Sequence, residues 1–178
     1  MIKKDTIYAL SSGNGKSAVA VFRISGLNSL KIIKNLTKIK KINPRRPLLS
    51  KIYKNSLKKT PIDNCVITFM KAPKSYTGED CVEISSHGGN AVISSILESL
   101  GKSKLCRIGE PGEFTRRAFE NNKLDLTQVE AISDLVNAET ESQRIQALSQ
   151  LDGNFSKKIQ KWSNEILNKL ANIEAAID

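Results

Sequence analysis

Ala18-Val19-Ala20-Val21-Phe22-Arg23-Ile24-Ser25 is eight residues of small, β-branched and apolar side chains without glycine or proline, and it reads as a strand. A second β-rich run, Asp5 to Leu10, precedes it across the turn-forming cluster Ser11-Ser12-Gly13-Asn14-Gly15. Arg23 is the only charge in a strand whose other members are mostly apolar on both faces, so the strand is expected to be buried. An arginine there needs a partner, because an unpaired buried guanidinium is very costly. Two partners stay open, a structural carboxylate or a bound anionic ligand.

Glu83 poses the same question with the opposite sign. In Cys81-Val82-Glu83-Ile84-Ser85, strand alternation places it beside Cys81 and Ser85, with Val82 and Ile84 on the other face. A carboxylate accepts parallel N–H bonds, so it suits either an arginine fork or an amino-pyrimidine edge. Pairing of Arg23 with Glu83 is therefore the competing structural account.

Outward from these strands the chain first mixes β and α patterns. Leu30, Ile32, Ile33 and Leu36 fit a short amphipathic helix, and further strands are expected over Leu48 to Tyr53, Asn64 to Met70 and Cys81 to Ser86. Val92, Ile93, Ile96, Leu97 and Leu100 recur at helical spacing, and Lys104 to Ile108 reads as one more short strand. Beyond about residue 115 the character turns helical. Thr127-Gln128-Val129-Glu130 has capping-box spacing, and no proline follows it. From Ile145 to Ile177 apolar residues recur every three or four positions, through Leu148, Leu151, Phe155, Ile159, Trp162, Ile166, Leu170 and Ile173. Gly153 interrupts this stripe, as a kink or as the junction of two helices. The stripe runs to the end without a closing signal, so the helices are expected to belong to a larger helical domain, with part of the stripe exposed or covered by a second chain.

Composition narrows the class of protein. No apolar run approaches the roughly 20 residues of a membrane span, and Met1-Ile2-Lys3-Lys4-Asp5 lacks the apolar stretch of a secretory signal, which leads to an expectation of a cytoplasmic protein. Cys65, Cys81 and Cys106 form no close pair of the zinc or redox kind and are expected as buried free thiols. The net charge of +10 sits in one segment: Lys31 to Lys59 holds 11 Lys and Arg and no acid, and the remainder has 17 basic against 18 acidic residues. Such a segment can be a salt-sensitive surface for RNA phosphates or a solvated lysine-rich face. Tyr53 is its only aromatic residue, so base stacking has little to work with and the solvated face is favoured.

Two further motifs are set aside. Gly13-Asn14-Gly15-Lys16-Ser17 ends like a phosphate-binding loop, but Leu10 stands where its first glycine belongs and a strand follows where it needs a helix. His87, the only histidine, cannot alone form a metal site or a triad; its setting in Ser86-His87-Gly88-Gly89 reads as a structural turn residue.

Taken together, several blocks resemble the N-terminal half of the MnmE (TrmE) family of tRNA-modifying GTPases. They are Asp5-Thr6-Ile7, Phe22-Arg23-Ile24-Ser25-Gly26, Ser75-Tyr76-Thr77-Gly78-Glu79-Asp80-Cys81-Val82-Glu83-Ile84 and His87-Gly88-Gly89. Pro111-Gly112-Glu113-Phe114-Thr115-Arg116-Arg117-Ala118-Phe119 and Asn122-Lys123-Leu124-Asp125-Leu126-Thr127-Gln128-Val129-Glu130-Ala131-Ile132 continue the series, and Glu174-Ala175-Ala176-Ile177-Asp178 resembles the stretch before the family's GTPase domain. The lysine-rich stretch from Lys34 to Lys59 matches no family block.

The resemblance implies an α+β, mixed-strand, tetrahydrofolate-binding and dimerisation domain over residues 1–118. This domain is similar to the folate domain of aminomethyltransferases. Residues 119–178 would then begin a central helical domain whose long C-terminal helices are cut short. By matching positions, Arg23, Glu83 and Lys123 would contact 5-formyl-tetrahydrofolate or another tetrahydrofolate derivative. Implied partners are a second copy of the chain, the MnmG flavoprotein and tRNA, whose wobble uridine receives an aminomethyl-type group; no membrane is implied. GTP, Mg and K would bind only in the GTPase domain. That domain is missing here, as is the family's C-terminal cysteine motif, so this chain is expected to bind folate without GTP hydrolysis and without modifying tRNA alone. The rival readings are a standalone folate-dependent aminomethyltransferase and a basic RNA-binding module.

Overall fold

A computed structural model describes residues 5–177 apart from Asn14, Ser56 and Lys58. The chain divides into two compact units, Met1–Lys123 and Leu124–Asp178. The first contains β1 (Ile7–Leu10), β2 (Ser17–Ser25), α1 (Ser29–Leu36), β3 (Leu48–Tyr53), β4 (Pro61–Met70), β5 (Cys81–Gly88), α2 (Asn90–Gly101), β6 (Arg107–Ile108) and α3 (Glu113–Glu120). Its six strands form one sheet in the order β3-β4-β5-β2-β1-β6. Every pairing is antiparallel except β1 with β6. The fold is α+β with a mixed sheet followed by helices, as the sequence pattern indicates.

The core lies on one face of this sheet. Ala20, Phe22 and Ile24 of β2, Val82 and Ile84 of β5 and Cys65, Ile67 and Phe69 of β4 pack there against Ile32, Ile33 and Leu36 of α1 and Ile93, Ile96 and Leu100 of α2. The expectation that β2 is buried on both faces is corrected by this arrangement: Val21 and Arg23 lie on the opposite face and are only half-buried. An antiparallel sheet needs helices on one side only, and both α1 and α2 pack on the Phe22 side.

Element ends differ from the sequence reading in instructive ways. β5 runs on to Gly88, which pairs with Ser17; a Cβ at Gly88 would lie 2.5 Å from the Ser17 carbonyl oxygen, so glycine extends the strand here by permitting close approach. His87 is consequently a strand residue and not a turn residue. The expected strand over Lys104 to Ile108 shrinks to Arg107 and Ile108. α3 has no counterpart in the hydrophobic periodicity, because its inward residues include Glu113 and Arg117. Cys65 and Cys81 are buried free thiols, while Cys106 is only half-buried.

The second unit contains α4 (Leu126–Val136), α5 (Glu141–Leu151) and α6 (Asn154–Ile177). The capping box at the start of α4 is Asp125 with Gln128, two residues ahead of the Thr127 expected from sequence. Thr127 instead donates to Asp125 Oδ1 at 2.8 Å, because the helix has already begun. A second box, Thr140 with Gln143, starts α5. Gly153, at φ +78°, separates α5 and α6, so the stripe is two helices and not one kinked helix. Its α6 portion is open: Phe155, Ile159, Trp162, Ile166, Leu170 and Ile173 are all exposed. Among the described residues, no helix is long and apolar enough to cross a membrane.

Gly26 closes β2 at φ +127°, where a Cβ would stand 2.7 Å from the Thr6 Cα. Both the dihedral and the backbone clash exclude a side chain. Gly26→Ala is expected to destabilise the first unit by about 2 kcal/mol or more, read as a lower midpoint in urea unfolding at neutral pH.

Candidate ligand site on the open sheet face

Register brings Arg23 and Glu83 together. β2 and β5 pair antiparallel with Arg23 directly opposite Glu83, and Thr68 of β4 lies on Glu83's other side. Arg23 Nε and Nη2 both donate to Glu83 Oε1, at 3.0 and 2.7 Å. The pair is part-exposed, with side chains 25% and 32% accessible, so it is neither a buried structural bridge nor a freely solvated one. Among the described residues nothing engages Glu83 Oε2 or Arg23 Nη1. One acceptor and one donor of the pair are left over.

Two aromatic rings that sequence reasoning did not single out hold the guanidinium. Its carbon lies 5.0 Å from the centre of the Tyr76 ring and 5.8 Å from that of Phe114. Tyr76 belongs to the loop of residues 71–80 and Phe114 to α3; the Tyr76 hydroxyl and Thr115 Oγ1, 2.8 Å apart, join these two supports. Both residues sit inside blocks quoted for the family resemblance, and that was the only signal for them.

Lys123 reaches the same loop from the end of the first unit. Asn121 Nδ2 donates to the Thr77 carbonyl at 2.7 Å, and the Lys123 amide donates to the Ala118 carbonyl at 2.8 Å. Gly78, at φ +79°, gives room for the stem: a Cβ there would meet Lys123 Cγ at 3.3 Å. Arg23 and Glu83 thus touch directly, while Lys123 joins them through the Tyr76–Gly78 segment and not by contact with the pair. His87 is elsewhere, its Nδ1 2.8 Å from Asp63 Oδ1 while its amide donates to Asp63 Oδ2 at 2.8 Å. Burial opposes ionisation of Asp63, but these bonds outweigh it and hold its pKa below the usual range. Cys81, under the pair, is pushed up to about 12 by burial, which leaves it an unreactive thiol.

A second cluster, also unforeseen, fixes the supports. Glu113, 2% exposed, accepts from Arg107 Nη1 and Nη2 at 2.8 and 2.7 Å and from Arg117 Nη2 at 2.9 Å. Arg117 also donates to Asp5 Oδ1 at 2.8 Å and to Glu79 at 3.3 Å, and Glu79 accepts from the buried Ser25 hydroxyl at 2.7 Å. The loop, α3, β2 and the start of β1 are therefore tied at one point. The i, i+4 spacing of Glu113 and Arg117 was visible in the sequence; their burial was not.

Comparison with known proteins identifies the family. Residues 6–123 match the family described as GTP-binding protein TrmE N-terminus, and residues 126–178 match the MnmE helical domain. The chain belongs to the MnmE (TrmE) family. It is 44% identical over 178 residues to the mouse mitochondrial 5-taurinomethyluridine tRNA synthase subunit GTPB3, covering all of this chain and 36% of that protein. It is also 44% identical over 174 residues to the tRNA modification GTPase MnmE of Parvibaculum lavamentivorans, covering 98% of this chain and 40% of the relative. The MnmE of Rickettsia prowazekii gives 44% identity over 98% of the chain and 39% of its own length. The chain therefore spans well under half the length of these MnmE-family relatives.

Hydrogen bonds from Arg107 hold the Glu113 carboxyl down at about 2, against an ordinary 4.5. A depressed carboxylate contributes stability that is complete above about pH 4.5 and is lost as pH falls through about 2. Glu113→Gln should flatten the dependence of urea midpoint on pH between 5 and 2. At neutral pH it should cost about 3–5 kcal/mol, since Arg107 and Arg117 lose their shared partner.

Proposed function

We propose that this chain is the tetrahydrofolate-binding and dimerising module of a tRNA-modifying GTPase, and that Arg23, Glu83 and Lys123 hold the cofactor. The observation that carries this reading is the unused half of the Arg23–Glu83 pair. Glu83 Oε2 is free to accept and Arg23 Nη1 is free to donate, which complements the N–H and carbonyl groups along the edge of a 2-amino-4-oxo-pteridine. The residues present fit such a ligand: the polar pair would orient the ring, Tyr76 and Phe114 keep Arg23 in place, and Lys123 offers an exposed positive charge for a carboxylate. Bound there, 5-formyl-tetrahydrofolate or a related derivative would supply a one-carbon unit. This chain's own task is recognition and orientation.

Dimerisation finds support on the same face. Across the strands, Leu49, Val66, Ser85 and Val21 form one row adjacent to the row of Glu83 and Arg23. Leu49 is 69% exposed and Val66 40%, and Val19 at the same end is 55% exposed, an apolar patch that a second copy would cover. In the whole protein the module would act with the MnmG flavoprotein on the wobble uridine of tRNA, in line with relatives named as a tRNA modification GTPase and a taurinomethyluridine tRNA synthase subunit. Three free cysteines suit a reducing compartment such as the cytoplasm.

Calorimetric titration of 5-formyl-tetrahydrofolate should give saturable heat at one site per chain. Glu83→Gln is expected to weaken it at least tenfold, because a carboxylate that accepts charged or amide N–H bonds contributes about 1.5–3 kcal/mol. A wild-type chain that binds no folate, or a variant that binds as well as wild type, would remove the assignment. Independently, Val66→Asp should halve the mass measured by light scattering if the open face is the dimer contact, since it buries a charge without a partner.

A further inference from the structure

The helix-covered side of the same sheet carries a concavity of about 280 Å³, remote from the Arg23–Glu83 pair. Asn35 of α1, Lys54 and Asn55 after β3, and Lys102, Ser103 and Lys104 after α2 line it, among others. Three lysines far apart in sequence, 54 against 102 and 104, thus converge on one hollow whose other polar groups can all donate hydrogen bonds. Glu98 is the acid that answers them: it pairs with Lys102 and, at 3.6 Å, with Lys54. Lys104 has no ion-pair partner among the described residues. Three cations against one carboxylate leave an excess of positive charge at the rim.

Structural duties account for part of this. Lys102 follows the C-terminus of α2, where a cation is favourable, and lysines beside the edge strand β3 discourage strand pairing. Those duties disperse lysines and do not require three of them around one hollow, where Glu98 offsets only part of their mutual repulsion. The surroundings extend the charge. Lys31 and Lys34 are exposed on α1 beside Asn35, and Lys38, Lys40 and Lys41 are exposed beyond it. The chain from Lys31 to Lys59 has no acid.

We propose that this hollow seats a backbone phosphate of an RNA, with the exposed lysines of α1 and the following loop tracking adjacent phosphates. The binding is electrostatic and independent of base sequence, since Tyr53, the one aromatic residue of the segment, is buried under the Lys38 ammonium and offers no ring for stacking. It adds an RNA contact to this chain on the face of the sheet opposite the proposed folate site, and it does not depend on that site.

The test titrates the 178-residue chain into fluorescently labelled tRNA transcript at 50, 100 and 200 mM KCl, followed by anisotropy. Wild type should bind with affinity that falls steeply with salt. The triple variant Lys54→Gln, Lys102→Gln, Lys104→Gln should bind at least tenfold more weakly at 100 mM KCl, with a log–log salt slope shallower by about 0.7–0.9, the share of one phosphate contact. A charge-matched control, Lys157→Gln, Lys161→Gln, Lys169→Gln on α6, should change affinity less than twofold. Unchanged circular dichroism melts establish that both variants remain folded. The proposal is overturned by equal weakening in both triples, by salt-independent binding, or by inorganic phosphate displacing tRNA at matched phosphate concentration, which would make the hollow a single-anion pocket.

Discussion

The register between β2 and β5 is the constraint on which the rest depends. With Arg23 opposite Glu83, Phe22 lies opposite Ile84 and Ile24 opposite Val82. A slip of one residue would drive Arg23 into the core against α1 and α2 and turn Phe22 outward, because side chains alternate strictly along a strand. Hydrophobic burial of Phe22, Ile24, Val82 and Ile84, all fully inaccessible, therefore sets the position of the charged pair on the other face. The site is a by-product of the core's demands: the pair stands where it does because the core residues cannot stand anywhere else.

What the register does not supply is a support for that pair, and the charge cluster around buried Glu113 and Arg117 provides it. Glu113, Arg117, Arg107, Asp5 and Glu79 connect α3, the loop of residues 71–80 and the N-terminal strand through bonds of 2.6–3.3 Å. Breaking one partner of such a network strands the others in a poorly solvated place, so it behaves as a unit. Its consequence is geometric. Phe114 and Tyr76 are held against the Arg23 guanidinium.

The two sides of the sheet differ in chemistry. The open side carries few charges in an apolar field, which suits a shaped ligand and a partner surface; the covered side carries many lysines around one hollow, which suits a polyanion. In the second unit the exposed stripe of α6 has the spacing of a helix face meant for contact, and residues as large as Trp162 and Ile166 are exposed at 56% and 65%.

By itself the sequence determined the α+β class, five of the six strands nearly to their ends, helices α1 and α2, the helical character after residue 115, and the two charged strand residues, Arg23 and Glu83. These follow from local periodicity and from the rarity of a lone charge in an apolar strand, both of which are written in neighbouring residues. Lys123 came only through family resemblance, since a lysine before a helix carries no local signal. Tertiary structure alone decided that β2 has one open face, that Arg23 and Glu83 meet, that Tyr76 and Phe114 flank them, and that Glu113 and Arg117 are buried. It also decided that Lys54 shares a hollow with Lys102 and Lys104. Each of these is a contact between segments 4 to about 110 residues apart, and such contacts depend on which elements pack on which face, a choice made by the summed burial of the whole core and by no single stretch of chain.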